Sequence, residues 1–168
     1  MFHRTFIGLM VSVVASSAAP IQPTARAAPP GVPGTYELSF LTGHLTPIDS
    51  TLPVGEELVL KAHVTDGSVD AQSGAVTFQV CARPGGGGSD PGPSSDCDID
   101  GTRTWTRLSA AKVYPGRCPG EGPGFVCVNV GASTSPRTNG YRFRYNPQGS
   151  GIAPGSATRD ASWIIPAP

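Results

Sequence analysis

EELVLKAHVTDGSVDAQSGAVTFQVC, residues 56–81, decides the fold. In its first part Leu58, Leu60, Ala62 and Val64 alternate with Val59, Lys61 and His63. A period of two places the first set on one face of a strand and the second on the other. DGSVDAQSG then supplies the Gly, Asp and Ser residues that bend a chain. AVTFQVC resumes the same period, with Val76, Phe78 and Val80 as its apolar set. Two half-buried strands joined by a polar turn are predicted.

The pattern continues outward in both directions. Towards the N-terminus, TYELSFL (35–41) places Tyr36, Leu38 and Phe40 together, and GHLTPIDSTLPVG turns the chain into the central stretch. Towards the C-terminus, a long loop runs from about Ala82 to Gly101, followed by the less regular RTWTRLSAAKVY (103–114). FVCVNV (125–130) groups Val126, Val128 and Val130, and YRFRY (141–145) groups Tyr141, Phe143 and Tyr145 against Arg142 and Arg144. ATRDASWII (157–165) closes the series with Trp163. No segment sustains a 3.6-residue period. About seven strands with period two predict an all-β, two-sheet antiparallel sandwich. A small closed barrel is the alternative.

Composition agrees with that class. The 168 residues include 22 Gly and 18 Pro, both poor helix formers, so a helical bundle is excluded. Fourteen valines against eight leucines favour strands, because β-branched side chains fit a pleated surface. Charged residues are 14% of the chain and sum to zero formal charge, which gives no basic footprint for nucleic acid. The glycines and prolines cluster in 28–34, 82–101, 115–124 and 147–155, so they read as turns between short strands. The length fits one domain.

PVGEELVLKAHVTDGSVDAQSGAVTFQV resembles the opening of bacterial immunoglobulin-like domains of exported and surface proteins. The shared pattern is Val54-Gly55, an alternating strand ending in Ala62-His63-Val64, a polar turn, then Ser73-Gly74-Ala75-Val76-Thr77-Phe78. NGYRFRYNPQGSGIAPGSATRDASW is similar to their last two strands. The long Gly-rich loop and the four cysteines depart from the pattern, and the Cys…Trp…Cys spacing of immunoglobulin domains is not evident. The resemblance implies an immunoglobulin-like sandwich over 35–165, a stalk, spacer or adhesion role, and no catalytic chemistry. Tyr141 is a candidate for the tyrosine corner of such folds.

The N-terminal 27 residues carry a signal-peptide pattern. A short basic start precedes the ten-residue apolar run TFIGLMVSVV, and Ala25-Arg26-Ala27 offers a cleavage site before Ala28. Cleavage there leaves a Pro/Gly-rich leader, 28–34, ahead of the domain. Export into an oxidising compartment predicts two disulfides from Cys81, Cys97, Cys118 and Cys127. Three pairings are possible. Short flexible loops favour Cys81–Cys97 and Cys118–Cys127. No C-x-x-C pair is present to begin a zinc site. The chain ends three residues after Ile165, which predicts a lone domain that reaches its partner by diffusion or docking.

Three constellations are candidate sites. In DCDIDGT (96–102), Asp96, Asp98, Asp100 and Gly101 match the first half of a calcium-binding loop. The position that should carry the bidentate Glu is Arg107. The competing reading is a polar turn capped by its own Asp side chains. Arg142 and Arg144, with Arg107, form a basic stripe suited to carboxylates, phosphates or sulfated sugars, or simply a solvated strand face. Trp105 and Trp163 either stack on a ligand or fill the core. Only His44 and His63 remain after processing, and neither a nucleophile elbow nor a nucleotide-binding glycine pattern is present.

The expectation is therefore a non-catalytic exported module with a structural or protein-interaction role. The alternative is a carbohydrate- or weak-calcium-binding module that uses the 82–107 loop. No cofactor, nucleic-acid partner or membrane span in the mature chain is expected.

Overall fold

The computed structural model describes residues 31–85, 88, 90–112 and 118–167. The signal-peptide segment and the start of the leader lie outside the described residues. The elements are β1 (Thr35–Thr42), β2 (Pro47–Ile48), β3 (Thr51–Pro53), β4 (Glu57–Thr65), β5 (Ala75–Ala82), α1 (Ser95–Asp98), β6 (Thr104–Lys112), β7 (Phe125–Ala132), β8 (Arg137–Asn146) and β9 (Gly155–Ile164). They form two sheets, ordered β2-β1-β4-β7 and β3-β9-β8-β5-β6. The seven longer strands are the expected ones. β1, β4 and β7 hold the places of strands A, B and E of an immunoglobulin-like sandwich, and β5, β8 and β9 those of C, F and G.

The turn between β1 and β4 does more than reverse the chain. β2 pairs antiparallel with β1, whereas β3 crosses to the other sheet and runs parallel to β9, with Leu52 opposite Trp163. The end of the leader is tied as well: Val32 donates to the Gly151 carbonyl and accepts from Ala153.

The predicted inward sets meet in one core. Leu58, Leu60, Ala62, Val64, Val76, Phe78, Val126 and Phe143 are completely buried. Phe78 and Phe143 pack side by side within one sheet at 6.4 Å. Phe40 crosses to Tyr141 of the other sheet at 6.3 Å in an edge-on arrangement. Burying such side chains contributes about 1.5–3 kcal/mol each. Trp163 belongs to this core: it is 2% exposed and its Nε1 donates to the Glu56 carbonyl at 3.0 Å. Val59 is on the outer side as predicted, but it is 5% exposed and pairs with buried Leu41. Alternation thus reports a residue's side of the sheet, not its exposure.

Tyr141 does not make the tyrosine-corner bond. Its hydroxyl accepts from Asn139 Nδ2 at 3.1 Å, where the corner requires a backbone partner. Burial raises the Tyr141 phenol above the usual tyrosine range, with the Asn139 bond opposing it.

Both disulfides have the favoured sequential pairing, Cys81–Cys97 with Cα atoms 5.9 Å apart and Cys118–Cys127 with 5.0 Å. In the chain-entropy model they contribute about 3 and about 2.6 kcal/mol, respectively.

Candidate functional site on the five-stranded sheet

The outer face of the five-stranded sheet gathers the sequence candidates. On β5 the inward set leaves Thr77, Gln79 and Cys81 pointing outward. Register then places Arg107 and Arg142 on either side of Gln79, Arg144 beside Thr77, and Trp105 beside Cys81. A register shift between Phe78 and Gln79 adds a residue on β6. This irregularity brings the otherwise uneven strand RTWTRL into phase with the face. Trp105, Arg107, Arg142 and Arg144 therefore share one surface.

One end of that surface is covered by the long loop. Its described residues pack on the sheet through several specific ties. Arg83 N donates to Asp90 O, and Gly92 N to Cys81 O, while Gly140 N reaches Gly92 O at 2.7 Å. Asp160 Oδ1 accepts from Ser94 N at 2.9 Å. Gly140 permits this approach because a Cβ there would lie 2.4 Å from the Ser94 backbone nitrogen. Arg103 bridges the loop internally, with Nε 2.9 Å from Asp96 Oδ2 and Nη1 donating to the Asp90 carbonyl. The Cys81–Cys97 bridge fastens α1 to β5. The described residues of the loop thus form an anchored cover on the sheet.

This geometry resolves the DCDIDGT motif. Residues 95–98 form a helical turn, and side chains two apart on a helix do not face each other. Asp96 is held by Arg103. Asp98 Oδ1 accepts from Trp105 Nε1 at 2.8 Å and lies 3.9 Å from Arg142 Nη1. The alternating ligand geometry expected for Asp96, Asp98 and Asp100 is not formed. Among the described residues no group of three His, Cys, Asp or Glu side chains is arranged to hold a metal ion.

Trp105 and Arg142 are likewise engaged with their neighbours. The Arg142 guanidinium lies 4.3 Å from the centre of the Trp105 ring, a cation–π contact. Its Nε donates to Gln79 Oε1 at 3.0 Å. Burial lowers the Arg142 pKa from its usual value; Asp98 raises it and the neighbouring Arg144 charge lowers it further. Arg142 remains a cation because arginine starts so far above neutrality.

Arg144 differs. It is exposed, and among the described residues it has no carboxylate within ion-pair distance. Arg107 is exposed in the same way. Arg144 lines an open groove of about 560 Å³ with Thr77, Gln79, Tyr145, Asn146, Pro147 and Pro154. A second hollow of about 260 Å³ continues past it, bounded by Pro154, Gly155 and Ser156. The hollows meet at Arg144 and Pro154.

A further cluster on the other sheet was not visible in the sequence. His63, predicted to be an ordinary outward residue, stacks on Phe125 at 4.0 Å with the rings 5° from parallel. Its Nε2 lies 2.7 Å from Asp70 Oδ1 and its Nδ1 3.5 Å from Glu37 Oε2. Lys61 pairs with Glu121, which lies in the turn closed by Cys118–Cys127. Cross-strand pairing puts His63 opposite Phe125, but only the register could have revealed it.

No protein-family model matches the chain, and no curated protein matches it significantly.

Proposed function

We propose that the chain is a non-catalytic exported module of the bacterial immunoglobulin-like type, and that its contact surface is the outer face of the five-stranded sheet. The observation that carries this is the exposed pair Arg107 and Arg144 beside a groove, on a face where Arg142 is already tied to Asp98, Gln79 and Trp105. A charge without a local partner is available to a ligand at little cost. No helix among the described residues is long and apolar enough to cross a membrane.

The alternative reading of the sequence places ligand binding in the 82–107 loop. Asp96 and Asp98 of that loop are occupied by Arg103 and Trp105, so the binding surface is assigned to the uncovered part of the sheet. The test is retention of labelled protein on the envelope of the source cells. Reversing charge at Arg107 and Arg144 to Glu should cut retention about tenfold or more. Adding two glutamates on the opposite sheet, at Thr35 and Ser39, should leave it unchanged. Equal retention of all three proteins refutes the assignment.

A further inference from the structure

We infer that the groove at Arg144 binds a carboxylate-bearing polysaccharide chain, with the Arg144 guanidinium holding one sugar carboxylate. This rests on the assignment of the sheet face as the contact surface. Charge supplies the first argument: an exposed guanidinium presents a planar fork that matches a carboxylate. Arg107, on the same face, adds a second positive charge. Arg142, two residues along β8 on the same face, is balanced by Asp98 beside it and leaves the groove's charge to Arg144.

Shape supplies the second. The hollows of about 560 and 260 Å³ meet at Arg144. A chain crossing that junction fills both, whereas an isolated small anion fills neither. Hydrogen-bonding chemistry supplies the third. The lining offers Thr77, Asn146 and Ser156, side chains that both donate and accept, as sugar hydroxyls require. Pro147 and Pro154 offer flat apolar surface for sugar C–H groups.

The groove also lies over β5 and β8, central strands whose backbone groups are already paired with β6 and β9. An extended peptide there could not add itself as a strand, and its backbone amides would lack ladder partners. A glycan has no such requirement. These features favour the acidic polysaccharide over an acidic peptide.

The experiment is calorimetric titration of the intact, disulfide-bonded protein with oligogalacturonate at low salt. Saturable binding is expected, weakened about 10- to 100-fold by Arg144→Gln and only slightly by the charge control Arg83→Gln. Fully methyl-esterified oligomers, which keep the hydroxyls and lose the charge, should not bind measurably. Poly-glutamate of matched length should bind at least tenfold more weakly. No binding at millimolar oligogalacturonate, binding indifferent to Arg144→Gln, or equal affinity for poly-glutamate overturns the inference. If these fail while envelope retention still depends on Arg144, the ligand class is wrong and the contact surface stands. If retention is also indifferent to Arg144, both fall. Thermal melts confirm that each variant is folded.

Discussion

Neighbouring parts of the five-stranded sheet's outer face, one covered and one open, carry the same residue type in opposite states. Arg142 and Arg144 are two residues apart on β8 and point the same way. Arg142 lies over an indole, donates to Gln79 and faces Asp98. Arg144 sits beside a groove with no acidic partner among the described residues. The difference is made by other parts of the chain, chiefly the loop that Cys81–Cys97 holds down. An arginine's register determines where it points, while its neighbours determine whether its charge is available.

The strongest way to break this contrast is to release the cover. Replacing Cys81 and Cys97 together by alanine should cost about 3 kcal/mol in the chain-entropy model, measured as a fall in the urea midpoint. It should also free Asp98 from Trp105 and raise the exposure of the indole. Trp163, buried in the core, supplies an internal fluorescence reference that should not change while the domain stays folded. A variant as stable as the parent, with Trp105 unaltered, would show that the cover is held without the bridge.

A narrower cut uses Gly140. A Cβ there would meet the Ser94 nitrogen at 2.4 Å and the Pro93 carbonyl carbon at 2.9 Å, both backbone atoms that move only if the loop moves. Gly140→Ala should therefore cost about 1–3 kcal/mol. Hydrogen exchange should show the Gly140 and Ser94 amides losing protection, because both donate across this contact. Unchanged stability would mean that the loop shifts freely and does not rest on the sheet. A subtler change makes the covered end resemble the open one. Asp98→Ala removes the acceptor for Trp105 Nε1 and the carboxylate beside Arg142, at a cost of about 1 kcal/mol. It should strengthen binding of an anionic chain, because Arg142 is freed as a further cation. Weaker binding would show that Asp98 is needed to position Arg142.

The sandwich was legible because its strands are long enough to show a period. Leu58 to Val64, Val76 to Val80 and Tyr141 to Tyr145 each give three or four alternations, and each inward set is buried. β2 and β3 were not legible, as two and three residues carry no period. Both disulfide pairings could be inferred from loop length alone. The candidate site was legible only as a set of residues. Arg142 and Arg144 could be assigned an outward register, but Trp105, on a less regular strand, could not, and its tie to Asp98 spans a helical turn that the motif DCDIDGT disguised as an extended loop. His63 holds its expected outward register, but its contacts were not legible because its carboxylate partners, Asp70 and Glu37, come from a turn and from another strand.

The smallest predicted effect on stability bears most directly on function. Arg144→Gln should change the unfolding free energy by less than about 0.5 kcal/mol. The side chain is exposed and holds no acidic partner among the described residues, so its removal breaks no ion pair there. Its charge lowers the Arg142 pKa, so neutralising it relieves a like-charge repulsion and shifts any small change toward stabilisation. Urea denaturation of the two proteins side by side measures this. A loss above about 1 kcal/mol would make Arg144 a structural support. The contrast with Arg142 would then vanish, and a binding defect in the same variant would no longer identify a contact. An unchanged midpoint combined with lost binding assigns the residue to the ligand, because surface sites that contribute nothing to folding are free to be shaped by what they bind.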